Sequence, residues 1–276
     1  KRMKSNKPKV LSQVLFQPML KWVVGAVLKA DLENLCVVSG FMHECVEDYL
    51  DELKEQEEQY HHICFAYQSE RKGTAHAVMM ADAFLKKHSG GDVLILNGDA
   101  PLVDEAVIRA SYEQHKKEQN AVTVIAATLE DATGYGRVVR NHQTGALTAI
   151  VEQKDADEET LKIKEVNSGA YWFHIDDLLS VLYNIDNCNA QGEYYLTDLV
   201  GIAVSERKKV CACRSCDEKV ALGANDRAGL LKLNEIANKI EVDRLLEDGV
   251  NFYCTDGVVI SPDAVVGRDT TLGPGT

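Results

Sequence analysis

Four short apolar, β-branched runs alternate with stretches of helical character in the first half of this chain, and that alternation limits its fold more than any other feature. The runs are Leu35–Ser39, Ile63–Tyr67, Asp92–Leu96 and Val122–Ala126. After the first, Val46, Tyr49, Leu50 and Leu53 recur at the spacing of one helix face. After the second, residues 75–87 read as a helix with lysines in its last turn, where the helix dipole favours cations. Residues 104–119 read as a third helix. The run Asp92-Val-Leu-Ile-Leu96 has no polar alternation, which fits a strand covered on both faces. The pattern predicts an open α/β sheet flanked by helices.

Beyond Val122–Ala126 the pattern changes. Arg137–Arg140, a turn over 141–145 and Ala146–Val151 predict a hairpin, and Ala170–Phe173 a further strand. A hairpin inserted after a parallel core is expected to form a lid or second lobe, with substrate between lobe and sheet. Leu230, Leu233, Ala237 and Ile240 mark one face of a helix closed by Gly249. Ile260, Val266 and Leu272 then recur every six residues, with Gly267 and Gly273 each following the apolar position. That is the start of a hexapeptide repeat, the pattern of a parallel β-helix, present for about two to three turns.

The 276 residues carry a formal net charge of -13, which makes nucleic acid and anionic membranes poor partners. No apolar run approaches the ~20 residues of a membrane helix. No leader peptide is visible, and the first residue is Lys1. The eight cysteines (Cys36, Cys45, Cys64, Cys188, Cys211, Cys213, Cys216 and Cys254) are scattered, several inside apolar runs. They suit buried thiols in a reducing cytosol better than a disulfide framework. Cys211, Cys213 and Cys216 lack a fourth ligand at zinc-finger spacing and read as incidental cysteines at a strand end.

Ligands in open α/β sheets sit beyond the carboxyl ends of strands. One such end is Asn97-Gly98-Asp99-Ala100-Pro101. There Asp99 is either a hard oxygen ligand for magnesium or a cap for the next helix. Another is Gln68-Ser-Glu-Arg-Lys-Gly73-Thr74. A helix N-terminus there offers free N–H groups, Gly73 admits a flat ring, and Gln68 can read a base edge. Lys9 could neutralise a phosphate or stand solvated. Thr133-Gly-Tyr-Gly136-Arg137 suits backbone contact with a sugar, or is a plain tight turn. Glu152 ends the hairpin, Asn167-Ser168-Gly169 opens the next strand, and Asn225 is a ligand or a helix N-cap.

Taken in order, these motifs resemble the bacterial bifunctional N-acetylglucosamine-1-phosphate uridylyltransferases / glucosamine-1-phosphate acetyltransferases. The matching pieces are Arg2-Met3, Pro8-Lys9-Val10-Leu11, Gln68 with Gly73-Thr74, Gly98-Asp99-Ala100-Pro101, Thr133–Arg137, Val151–Asp155, Val166–Gly169, Asn189–Asp198 and Gly223-Ala224-Asn225. The resemblance spans nearly the whole chain, and Asn189–Asp198 is its most specific run. It implies a Rossmann-like nucleotidyltransferase with an inserted hairpin lobe over 1–227, a linker helix over 228–248, and the first coils of a left-handed β-helix over 249–276. The implied activity is that of a UDP-N-acetylglucosamine pyrophosphorylase. UTP and N-acetylglucosamine-1-phosphate give UDP-N-acetylglucosamine and pyrophosphate, for cell-wall precursor synthesis in the cytoplasm.

The resemblance also implies roles by position. Asp99 and Asn225 hold Mg2+; Gln68, Gly73 and Thr74 read uracil; Lys9 and Arg2 act on the phosphates. Gly136, Glu152 and Asn167 hold the sugar, beside Asn97 and Gly98. In the full-length family the β-helix uses acetyl-CoA and forms homotrimers. Two departures stand out. The family's loop Leu-x-x-Gly-x-Gly-Thr-Arg and its first strand belong just before Arg2, so turnover by this chain is expected to be weak and to recover when they are restored. The β-helix stops after its first coils, so acetyl transfer is expected to be undetectable. Asn97 stands where relatives often carry an aromatic residue. The competing expectations are another sugar-1-phosphate nucleotidyltransferase, acting on glucose-1-phosphate with UTP, dTTP or ATP, or a non-catalytic nucleotide-sugar-binding fragment.

Overall fold

The computed structural model describes all residues except Lys1, Arg2, Lys4 and Cys216. A short pair, β1 (Gln13–Val14) and β2 (Gln17–Pro18), leads into α1 (Met19–Lys29). Then follow β3 (Leu35–Ser39), α2 (His43–Gln56), β4 (Ile63–Tyr67), α3 (Thr74–Met80), α4 (Asp82–Lys87), β5 (Asp92–Ile95), α5 (Glu105–Glu118) and β6 (Val122–Thr128). The hairpin is β7 (Arg137–Arg140) and β8 (Leu147–Val151), followed by α6 (Glu158–Leu161), β9 (Glu165–His174), α7 (Ile175–Val181), α8 (Asp198–Ser205) and β10 (Val210–Arg214). The chain closes with α9 (Arg227–Glu247), β11 (Asn251–Phe252) and β12 (Thr271–Leu272).

The strand β9 organises the main sheet. It runs antiparallel to β6 on one side and to β5 and β7 on the other, and β10 pairs parallel to β6. The sheet is therefore mixed, because the antiparallel β9 separates β5 from β6. Alternate residues of β6 and β9 enter two different cores. Val122, Val124, Tyr171 and Phe173 pack with α7 and α8, whereas Ile125, Ala127, Ala170 and Trp172 face α5 and the end of α1. Helices on both faces explain the uniformly apolar runs.

Three expectations change. The hairpin is no separate lobe: Arg137 pairs with Val166, so β7 and β8 extend the main sheet. The helix expected over 75–87 breaks at Ala81, which leaves the helical range at a ψ of 13° and whose N–H donates to the Val78 carbonyl at 3.0 Å. The motif Asn167-Ser168-Gly169 lies inside β9 rather than at its start. Ser168 and Gly169 bulge out of the ladder between the pairs Ile125↔Ala170 and Ala126↔Asn167. Gly169 takes a φ of 80°, and the Ser168 hydroxyl donates to the Ile125 carbonyl at 2.7 Å. A bulge of this kind re-aims the flanking side chains.

The parallel pair β3–β4 forms a sheet of its own, packed by Val46, Leu50 and Leu53 of α2 and Leu20 and Val24 of α1. Among the described residues, β3 has no strand partner besides β4, and β5 none besides β9. The helix α9 ties the two ends of the chain together. Its Leu233 and Ala237 pack on Val14, Leu15 and Leu102, while Val242 and Leu245 join Val250, Val258 and Ile260. Ile240, expected on the apolar face, is 36% exposed. Gly249 ends the helix at a φ of 87°, and β11 pairs parallel to β12. No helix among the described residues is long and apolar enough to cross a membrane. None of the seven described cysteines is buried, against the expectation from their apolar neighbours; Cys36, Cys64, Cys211 and Cys213 lie on β3, β4 and β10, which are only partly covered. The described residues hold no cluster of three or more His, Cys, Asp or Glu placed to bind a metal; Cys216 lies outside them.

Candidate functional site

The turn Asn97-Gly98-Asp99 leaves the carboxyl end of β5 against the N-terminal segment. A Cβ at Gly98 would come within 3.2 Å of the Val10 side chain, so the missing side chain lets the short turn Lys9–Leu11 close over it. The Lys9 ammonium ion-pairs with Asp99 and donates to the Asn225 Oδ1 at 2.8 Å. Asn225 arrives on a second close approach: a Cβ at Gly223 would be 3.1 Å from the Asp99 carbonyl oxygen. The helix-cap readings of both residues fail. Asp104 caps α5, accepting from the Val107 N–H, and Asp226 caps α9, accepting from the Gly229 N–H. A carboxylate oxygen and an amide oxygen thus converge on one cationic nitrogen. Burial raises the Tyr135 hydroxyl, and the charges of Asp99 and Asp131 add to it.

Gln68 follows β4, and its backbone N–H donates to the Ser39 carbonyl at 2.8 Å. Its side-chain nitrogen donates to the Gly73 carbonyl at 3.0 Å and meets His76 Nδ1 at 3.0 Å. Gly73 has a φ of 110° and ψ of 177°, a conformation close to glycine-only, and it seats α3. A Cβ there would overlap the carbonyl oxygen and the amide nitrogen of Tyr194. The Thr74 hydroxyl accepts from the Leu196 N–H at 2.9 Å, so this side chain also holds a loop.

Gly136, Glu152 and Asn167 meet on the other side. A Cβ at Gly136 would be 3.3 Å from Glu152 Oε1, and the Asn167 N–H donates to the Gly136 carbonyl at 2.9 Å. Burial raises the Glu152 carboxyl, and the charges of Asp198 and Asp155 add to it against a hydrogen bond from Thr197. Asn167 Oδ1 accepts from the Gly169 N–H at 3.0 Å, and its side-chain nitrogen donates to the Tyr171 hydroxyl. A Cβ at Gly169 would overlap the exposed Asn97 amide, so the bulge brings Asn97 against Gly169. Arg2 lies outside the described residues.

The specific run Asn189–Asp198 folds as a brace. Asn189 folds it, its Oδ1 accepting from the Gln191 and Glu193 N–H groups. The Tyr194 N–H donates to the Lys72 carbonyl at 2.7 Å, the Ala75 N–H donates to the Tyr194 carbonyl at 2.9 Å, and Thr197 donates to Glu152 at 3.2 Å. One loop therefore joins the Gln68 side to the Glu152 side. Its far face borders an open cavity of about 420 Å³ lined by Glu152, Asp155, Asp186 and Asp198. There burial, reinforced by Asp186 and Asp155, pushes Asp198 up to about 6. Tyr171, Thr197 and His76 were not singled out from the sequence. Thr197 lies within the run Asn189–Asp198; no local pattern marks the other two.

The model of the nucleotidyl transferase family matches residues 3–218 of the chain. The chain belongs to the nucleotidyl transferase family. Asn225 lies just beyond the matched region, and Asp99, Gln68, Glu152 and Asn167 lie within it. This nucleotidyl transferase is 41% identical over its whole length to the bifunctional protein GlmU of Caldanaerobacter subterraneus subsp. tengcongensis. It is 37% identical to GlmU of Acetivibrio thermocellus and 40% to that of an Exiguobacterium species, again over its whole length. It spans 58% of the length of each. Two crystal structures of UDP-glucose pyrophosphorylase share the fold, the apo form with a TM-score of 0.66 and the UDP-glucose complex with 0.67. They cover 85% and 84% of this chain and are themselves covered to 91%, at 18% and 17% identity.

Proposed function

We propose that this chain is the uridylyltransferase part of a bifunctional enzyme and joins UTP to N-acetylglucosamine-1-phosphate, releasing pyrophosphate. The observation that carries the reading is the meeting of Lys9, Asp99 and Asn225, far apart in sequence, at the carboxyl end of β5. A phosphate oxygen of the sugar phosphate attacks the α-phosphorus of UTP, the bond to the pyrophosphate bridging oxygen breaks, and its electron pair leaves with pyrophosphate. No protein nucleophile takes part, so the residues act by position and charge.

The two oxygens that share the Lys9 ammonium are hard donors converging on one cation, which fits Mg2+ better than a softer metal. Asp99 and Asn225 would hold it, and it would offset charge on the triphosphate. Lys9, displaced from both oxygens, would then be a mobile cation for the phosphates. Gln68 and the backbone at Gly73 and Thr74 would take the uracil, and Glu152, Asn167, Gly136 and Asn97 the sugar and its acetamido group. Gly98 would let the phosphates approach. Residues 1–227 are read as the transferase, 228–248 as a linker, and 249–276 as the first coils of a left-handed β-helix, supported by the parallel pair β11–β12. Acetyl-CoA chemistry and a homotrimer belong to the full-length parent, in a reducing cytoplasm.

The test is pyrophosphate release over a panel of sugar-1-phosphates and nucleoside triphosphates. N-Acetylglucosamine-1-phosphate with UTP is expected to lead. A preference for glucose-1-phosphate overturns the substrate, and tight UDP-N-acetylglucosamine binding by calorimetry without turnover leaves a binding fragment.

A further inference from the structure

The amide of Gln68 has two faces, one that donates and one that accepts, and its neighbours decide which one a ligand meets. One atom of the amide lies 3.0 Å from the Gly73 carbonyl oxygen. A carbonyl can only accept, so that atom is the NH₂ group. The same nitrogen lies 3.0 Å from His76 Nδ1, which must then be the acceptor of the second N–H, with the ring proton on Nε2. Both amide hydrogens are therefore used by the protein. The Oε1 accepts no hydrogen bond among the described residues, and Gly40 keeps its surroundings open: a Cβ there would stand 3.8 Å from it. His76 sits in the first turns of α3, its ring facing Tyr194 with centroids 6.5 Å apart, so the brace and the base-side loop hold it from both sides.

We propose that His76 is a positioning residue that fixes the Gln68 amide with its oxygen toward the ligand, so that the site selects a base carrying an N–H donor at its pairing edge. The inference rests on the reading that Gln68 takes the uracil. Uracil presents N3–H to an acceptor oxygen, whereas cytosine presents an unprotonated N3, and two acceptors would face each other without a proton between them. Gly73 alone leaves one amide hydrogen without a partner. With Nδ1 gone, only the hydrogen bond to the Gly73 carbonyl keeps the NH₂ inward, so the amide is held less firmly and presents its oxygen to uracil less often, while cytosine, already repelled, loses little.

The test is calorimetric binding of UTP and CTP, each with Mg2+, to the full chain and to His76→Phe, His76→Asn and Gln68→Ala. His76→Phe keeps the ring volume and removes the acceptor; the Asn oxygen can replace Nδ1. His76→Phe is expected to weaken UTP roughly three- to tenfold while CTP changes less than about twofold, and His76→Asn to restore most of the preference. Equal weakening of both nucleotides, or no rescue by His76→Asn, means that His76 only packs, and overturns the proposal. Should His76→Phe not fold, His76→Ala makes the same comparison. Gln68→Ala separates the two layers. If it removes the UTP preference and His76→Phe does not, only the role of His76 falls. If it leaves the preference intact, or the unsubstituted chain shows none, the reading of Gln68 falls and this proposal with it.

Discussion

Replacing Gly73 by alanine tests how the base side and the sugar side are joined. The new Cβ would sit 2.8 Å from the Tyr194 nitrogen and overlap its carbonyl oxygen, both of them backbone atoms of a braced loop. The backbone at φ 110° and ψ 177° adds strain of about 1–3 kcal/mol for a residue with a side chain. If the loop moves away, the bonds Tyr194 N–H to Lys72 and Ala75 N–H to Tyr194 are lost, at about 1 kcal/mol each. The expected destabilisation is about 3–5 kcal/mol. Gly90→Ala is the control: Gly90 also has a positive φ, of 80°, but no atom within 4 Å of a Cβ, so only strain of about 1–2 kcal/mol applies. Denaturant titration of both variants reads the difference. Calorimetry should find weaker binding of both UTP and N-acetylglucosamine-1-phosphate in Gly73→Ala, since Thr197, three residues from Tyr194, holds Glu152. A Gly73→Ala chain as stable as Gly90→Ala, with UTP binding unchanged, would mean that the Tyr194 backbone does not depend on Gly73.

Asp99→Asn should abolish the tightening of UTP binding by Mg2+, measured by calorimetry with and without chelator. It should cost less than about 1 kcal/mol in stability, because its pair with Lys9 is partly exposed. Asp198→Asn should stabilise the chain by about 1 kcal/mol at pH 7 after allowance for solvent screening. The folded carboxyl, at about 6, lies above its ordinary 3.8, so the folded state gains a proton that the unfolded state lacks as pH falls between those values. The benefit should therefore fade from pH 6 to 4 and vanish below, as melting curves across that window would register. Glu165 is buried and accepts from Arg140 at 2.7 and 2.8 Å and from Arg214 at 2.8 Å. Arg140→Ala should cost about 3 kcal/mol and Arg214→Ala, whose side chain is more than half exposed, under about 1 kcal/mol. Equal losses in urea titrations would contradict that ranking.

Much of the sheet was legible because burial on both faces writes itself into composition. The runs at Leu35, Ile63, Asp92 and Val122 became strands β3, β4, β5 and β6 with nearly the bounds expected. The position of β9 was not legible, since no local pattern says that a late strand inserts antiparallel between two earlier ones. Its bulge was hidden too: Asn167-Ser168-Gly169 reads as a turn, and only pairing with β6 makes it part of a strand. Lys9 and Asn225 each admitted a plain reading alone, as a solvated lysine and a helix N-cap. What joins them to Asp99 is close backbone approach at Gly98 and Gly223, which only the ordered set of motifs hinted at. Gly73 was read as making room for a ring; the structure adds a different need, the backbone of Tyr194.

The edges that β3 and β5 leave without a strand partner among the described residues bear on how this chain behaves in a test tube. Leu35-Cys-Val-Val-Ser39 and Asp92-Val-Leu-Ile95 are partly covered strands, and neither carries a lysine or proline to deter pairing. Each offers a row of amide and carbonyl groups to any other extended segment. Such edges zip together between molecules, so turbidity should climb steeply with concentration despite the net charge of -13. A lysine placed at Val37 or Leu94 would cost some packing but keep the chain dispersed.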